Sequence, residues 1–175
     1  NVFQETEPFM ATSYRPQFGA KLHPCWACQM HHLNMLTVTE GPYAGYVGEE
    51  PEYEQWAAWG PVIGNTDPAG ALVLSNETDR LGLENNEAGW VIGWVMECFE
   101  KGLLGEEQTD GLKMNWGNVE SARAMLHRIA RRQGFGERSL VRRRGRPDWK
   151  DARLPAIDPD QEGARRQYAA RVRNE

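Results

Sequence analysis

Cysteine is scarce in this sequence. Three thiols among 175 residues, Cys25, Cys28 and Cys98, are no disulfide framework. A long apolar run is also missing. The longest, Ala88 to Phe99, is too short and too interrupted to span a bilayer, and the N-terminal residues show no cleavable apolar pattern, so no signal peptide is expected. Strand-like alternation is almost absent, with one weak candidate near Met35 to Thr39. These gaps argue against a disulfide-stapled secreted scaffold and a helical membrane protein. They favour a soluble protein of a reducing compartment, expected to be the cytoplasm. The chain begins at Asn1 and not Met, so a processed or cut start is expected.

What is present is helical pattern punctuated by loops. Residues 1 to 20 show no sustained period and read as irregular. Gly41, Pro42, Gly45 and Gly48 mark turns. A short helix is expected from Pro51 to Trp59, since proline at a first helical turn gives up no intrahelical bond. A clearer one has Thr66 or Asp67 as cap and Pro68 at its first position, and stops near Leu81 because Gly82 suits the left-handed C′ position. The next, Asn86 to Lys101, carries apolar residues on nearly every side and is expected to be buried all round. A third, capped by Asn118, runs to Gln133 with Ala122, Met125, Leu126, Ile129 and Ala130 as its stripe. Arg131 and Arg132 sit where the helix dipole favours cations, and Gly134 closes it. The fold class is therefore mainly α, with long loops.

The net charge of −5 hides an asymmetry, because Gly134 to Glu175 holds ten arginines and one lysine. With apolar residues sparse there, 137–175 reads as a disordered, solvated tail. A nucleic-acid-binding arm is disfavoured, because Trp149 and Tyr168 stand isolated among the basic residues. No nucleic-acid partner is expected.

Chemistry concentrates at His23-Pro-Cys25-Trp-Ala-Cys28-Gln-Met-His31-His32. C-x-x-C lets two thiolates reach one metal from a tight turn, and a ligand four residues later can close on it. Structural zinc, an iron–sulfur site and a thiol redox pair all remain open on spacing. A βαβ context for the redox pair is missing, and adjacent histidines seldom ligate one ion together. A small zinc-binding interaction module with a basic tail is the alternative reading of the whole chain. Cys98, in an apolar helix, reads as a buried core thiol.

The order of segments from about Pro24 to Gly136 is more specific than any one of them. The C-x-x-C is followed by Glu50-Pro51-Glu52-Tyr53-Glu54, by Asp79-x-x-Gly82-Leu83-Glu84, by Glu100-Lys-Gly-Leu-Leu, by Trp116-Gly-Asn and by Gly134-Phe-Gly. This succession resembles the aldehyde ferredoxin oxidoreductase family of tungsten or molybdenum bis-pterin enzymes. The resemblance implies a [4Fe-4S] cluster with Cys25 and Cys28 at two of its corners. The family's third cysteine falls here on His32, an acceptable iron ligand in some clusters.

The resemblance further implies a pterin contact through Asp79, Gly82, Leu83 and Glu84, where a carboxylate can accept a planar pair of N–H bonds. On the residues alone, the same stretch is a plain helix C-cap. Glu52 and Glu54, with His31, are implied as proton-handling groups, against an exposed acidic patch as the bland alternative. If their segment is helical, Glu50 and Glu54 share a face.

The implied activity is oxidation of aldehydes to acids, with ferredoxin or an iron–sulfur subunit as electron acceptor in an oligomeric parent. Pro24-Cys-Trp-Ala-Cys28, His31-His32 and Glu40-Gly-Pro-Tyr-Ala-Gly45 are closer to the branch with the tungsten subunit of ATP-independent benzoyl-CoA reductase, which implies an aromatic acyl-CoA as the other substrate. Residues 1–136 are then a partial cofactor-binding domain from the helical part of the family, inactive alone. Residues 137–175 are either a tail or the product of a shifted reading frame.

Overall fold

The computed structural model describes residues 3–140. The arginine-rich segment beyond 140 lies outside the described residues. Within them the fold is mainly α. It comprises α1 (Ala11–Gln17), β1 (Lys21–Leu22), β2 (Asn34–Thr37), β3 (Val47–Glu49), α2 (Tyr53–Trp59), α3 (Pro68–Arg80), α4 (Asn85–Glu100), α5 (Val119–Arg131) and α6 (Phe135–Leu140). Short 3-10 turns cover Glu7–Phe9 and Pro61–Ile63.

Helix α3 forms where its caps predict. The Asp67 side chain accepts from the Ala69 N–H at 2.9 Å and Pro68 opens the first turn. At the other end the Leu83 N–H bonds the Thr78 carbonyl and the Gly82 N–H bonds the Asp79 carbonyl. That pair is the Schellman closure, with Gly82 at φ +68°. Residues 68–78 are all buried, so α3 is the central strut, touched by α2, α4, α5 and β3. Ala71, Leu72 and Leu74 are fully enclosed; each leucine contributes about 1.5–3 kcal/mol of burial.

Helix α5 begins as expected, Asn118 accepting from the Ser121 N–H at 3.0 Å. Ala122, Met125, Leu126 and Ile129 are buried. It stops earlier than expected because Arg132 itself takes the left-handed conformation, φ +53°. The chain then turns into α6, so Glu137–Leu140, the start of the segment read from sequence as a disordered tail, is helical.

Two expectations are corrected. Residues 1 to 20 are not irregular throughout, for α1 lies among them. No sequence period announces it, because contacts with distant residues hold it: Tyr14 packs at a tilt against Trp56 with ring centroids 4.6 Å apart, and Phe18 is buried. Helix α4 is not buried all round either. Ile92, Val95 and Met96 face the core while Trp90 is 66 % exposed. The inward face includes Gly89 and Gly93, four residues apart, where α2 and the 3-10 turn approach too closely for a side chain. A Cβ on Gly89 would lie 2.8 Å from that of Ala58, and one on Gly93 2.8 Å from the Val62 carbonyl.

The strand candidate near Met35 is β2, centre of a small antiparallel sheet in the order β1-β2-β3, with Lys21 opposite Met35 and Met35 opposite Glu49. Asn76 of α3 clamps this sheet. It accepts the Glu49 N–H and donates to the Glu49 carbonyl, both at 2.9 Å.

Candidate functional site

The corner between α3 and α4 builds one wall of an open depression of about 480 Å³, and the start of α2 builds the other. Its lining is Glu52, Glu54, Gln55, Asp79, Leu83, Glu84, Asn85 and Asn86. Five of the residues singled out from sequence, Glu52, Glu54, Asp79, Leu83 and Glu84, thus meet at one place.

Each is held differently. Glu52 caps α2: its backbone N–H donates to Gln55 Oε1 at 2.6 Å while its own side chain accepts from the Gln55 N–H, a reciprocal capping box. Gln55 Nε2 then reaches Asp79 Oδ2 at 3.3 Å, and Asn85 Nδ2 donates to Asp79 Oδ1 at 2.8 Å. Burial raises the pKa of the Asp79 carboxyl above its ordinary value, helped by the charge of Glu49. The two amide hydrogen bonds pull the other way without cancelling the rise. Glu84 is the N-cap of α4 and accepts from the Asn86 and Glu87 N–H groups at 2.9 and 2.6 Å, so it shapes the wall. Gly82 is exposed, with nothing within 4 Å of where a Cβ would stand. Glu54 is exposed.

A smaller depression of about 210 Å³ adjoins it and shares Glu52; Tyr14, Arg15, His32, Glu50 and Trp56 also line it. Glu50 is a buried carboxylate to which the sequence alone assigned no role. The segment before Tyr53 is extended, so Glu50 and Glu54 do not share a helical face. Glu50 is 5 % exposed and accepts from Tyr14 Oη at 2.5 Å, Arg15 Nε at 2.7 Å and Asn34 Nδ2 at 2.5 Å. Burial alone would raise its pKa, but the three donors and the guanidinium charge outweigh it and hold the carboxyl below its usual value. Tyr14 is pushed up to about 12, by burial first and then by its bond to Glu50. Its place in an otherwise family-like box was the only signal, and that says nothing of burial.

The Cys/His loop lies between β1 and β2. Cys25 is exposed and Cys28 half-buried, and the Cys28 N–H closes a turn on the Cys25 carbonyl at 3.0 Å. Ala27 and His31 take left-handed φ of +59° and +50°, costing about 1–2 kcal/mol each for an L residue. Trp26 is 97 % exposed. His32 does not join the thiols. Its Nε2 faces Glu52 Oε1 at 3.3 Å, and its carbonyl accepts from Arg15 and Asn34. His31 is exposed and lines neither depression. Among the described residues, no three His, Cys, Asp or Glu side chains gather as a metal site. Cys98 is buried, as expected.

Residues 1–169 match the family described as "Aldehyde ferredoxin oxidoreductase, domains 2 & 3". The chain belongs to the aldehyde ferredoxin oxidoreductase family. The matched range runs into the arginine-rich segment. The tungsten-containing aldehyde ferredoxin oxidoreductase of Pyrococcus furiosus is 32 % identical over 174 residues, covering 90 % of this chain and 27 % of that protein. The enzyme of the same name from Thermococcus kodakarensis is 30 % identical over the same shares. An aliphatic sulfonate oxidoreductase, WOR-like subunit, from Pyrococcus furiosus is 30 % identical over 112 residues, covering 64 % of this chain and 18 % of that protein. The chain thus spans about a quarter or less of the length of these relatives. Among the described residues no helix is long and apolar enough to cross a membrane.

The family implies a tungsten-pterin group and an iron–sulfur cluster, and the two fare differently here. The donor set of the larger depression suits a pterin. Asp79 is oriented by two amides yet keeps acceptor capacity for N–H groups of the ligand, beside a glycine corner that leaves room for close approach. For the cluster, Cys25 and Cys28 share one turn, while the His32 ring faces Glu52; among the described residues no third donor joins them.

Proposed function

We propose that the parent protein is a tungsten- or molybdenum-pterin oxidoreductase that oxidises aldehydes to acids and delivers the electrons to ferredoxin or an iron–sulfur subunit. This chain supplies one wall of its pterin pocket. The observation that carries the reading is the meeting of Asp79, Leu83 and Glu84 with Glu52 and Glu54 around one depression. When bound, the metal–pterin group accepts the two electrons that leave as an aldehyde and water become an acid.

The chain's own residues have other tasks. Asp79, fixed by Asn85 and Gln55, would hold a pterin by accepting its N–H groups. Glu52 and Glu54, standing at the opposite rim, take up protons released in the oxidation; His32 and not His31 is the imidazole beside Glu52. Glu84 holds the first turn of α4 and so keeps the wall in shape.

The test is elemental analysis of the full-length parent purified without oxygen, followed by a substrate screen of aldehydes and aromatic acyl-CoA esters. Tungsten or molybdenum with about four irons per chain and aldehyde-dependent reduction of ferredoxin support the reading. Zinc alone sinks it in favour of the interaction-module alternative. Turnover of the acyl-CoA in preference to aldehydes would move the substrate class and leave the pocket assignment in place.

A further inference from the structure

The residue at the third metal-ligand position of the C-x-x-C segment is already engaged by three groups, none of them a thiol. The His32 carbonyl accepts from Arg15 Nη2 at 3.4 Å and from Asn34 Nδ2 at 3.2 Å. Both donors are themselves fixed by the buried Glu50 carboxylate, at 2.7 and 2.5 Å, and the Glu50 N–H bonds the Asn34 carbonyl at 2.8 Å. The His32 ring then meets Glu52 at 3.3 Å. Glu50 is buried and hydrogen-bonded on both oxygens, so it fixes the two donors that hold the His32 backbone, while the ring meets Glu52 at the surface. His31, in the left-handed region, lies between the thiol turn and His32 and redirects the chain there.

We propose that His32 is committed to Glu52, at the junction of the two depressions, and is not a ligand of the metal that Cys25 and Cys28 hold. Glu50, acting through Arg15 and Asn34, is the positioning residue that commits it. Cys25 and Cys28 then furnish two thiolates to a centre that the His32 imidazole does not join. His32 stays with Glu52 whether that centre is an iron–sulfur cluster or zinc, independently of the oxidoreductase reading.

The experiment uses the full-length parent purified without oxygen, as wild type, H32A and H32Q. Metal is counted per chain. Bonding is read by X-ray absorption at the edge of whichever metal is present and, for a paramagnetic cluster, by pulsed EPR for nitrogen coupling. The expected result is equal metal content in all three proteins, within measurement error. The EPR or absorption spectrum should be unchanged, and any nitrogen coupling seen in the wild type should survive both substitutions. Loss of metal in H32A and H32Q, or a nitrogen coupling that disappears with His32, overturns the assignment. The wild-type spectrum alone decides if a variant misfolds, since sulfur-only ligation supports the proposal and a bound imidazole without a rival histidine contradicts it. Zinc in place of iron removes the oxidoreductase reading while the zinc edge still decides the ligand question. A parent holding no metal at the two cysteines overturns their half of the proposal.

Discussion

Trp59 donates its indole N–H to Asn85 Oδ1 at 2.6 Å, and the other end of the same amide donates to Asp79. A fully buried tryptophan is thereby linked, through one side chain, to the carboxylate at the open depression. The link runs from the last residue of α2 across the first residue of α4 to the last turn of α3.

Substituting Asn85→Ala leaves the Trp59 N–H buried without a partner and frees one oxygen of Asp79. The expected loss is about 1–3 kcal/mol of stability, the usual cost of an orphaned buried donor. Urea unfolding of the parent should show a lowered midpoint at unchanged slope. A midpoint equal to wild type would mean that water reaches the indole.

Asp79→Asn tests the pocket itself. It keeps the shape and turns an oxygen acceptor into a donor facing the ligand. Losing charge-assisted hydrogen bonds worth about 1.5–3 kcal/mol corresponds to binding weaker by about 10–100-fold. Tungsten or molybdenum per chain should fall accordingly in the purified parent while iron stays constant. Unchanged tungsten would remove Asp79 from the pterin contact.

A different carboxylate governs acid stability. Glu77 of α3 lies at 2.9 Å from Arg123 Nε and 3.1 Å from His127 Nε2, both of α5. Burial raises its pKa, but the bonds and charges of Arg123 and His127 outweigh that and leave it below the ordinary carboxylate value. Its stabilisation is therefore complete above the unfolded value of about 4.3. It is lost as pH falls further, through the depressed folded value. Glu50 behaves in the same direction. Glu77→Gln should flatten the decline of stability below about pH 4.3, measured as melting temperature against pH. A decline as steep as that of wild type would contradict the assignment.

Two glycines separate crowding from backbone strain. Gly93→Ala puts a methyl against the Val62 carbonyl, and overpacking of this kind costs about 1–3 kcal/mol. Gly82→Ala meets no neighbour but must hold φ +68°, a penalty of about 1 kcal/mol. Thermal melts of the two variants should rank in that order. The reverse order would mean that α4 shifts outward at little cost.

Local signals made much of the helical fold legible. Asp67, Pro68 and Gly82 bracket α3, and Asn118 starts α5, because caps act over three or four residues of chain. What escaped depends on long-range contacts. α1 is held by Tyr14 against Trp56, 42 positions later. The Glu50 network draws Tyr14, Arg15 and Asn34 from 36, 35 and 16 positions away, and no periodicity encodes such a meeting. The one-sidedness of α4 was written in Gly89 and Gly93, but the large residues around them masked the signal. The family resemblance placed Asp79, Leu83, Glu84, Glu52 and Glu54 on the list of candidates, whereas their convergence is visible only in space.

Five of the eight residues that line the larger depression, Asp79, Leu83, Glu84, Asn85 and Asn86, fall within a single stretch of eight positions around the Gly82 corner. A binding surface written so compactly behaves as a cassette. Exchanging residues 79–86 between relatives replaces most of the chemistry of this wall and touches only the last two residues of α3 and the first two of α4, so the rest of both helices keeps its own sequence.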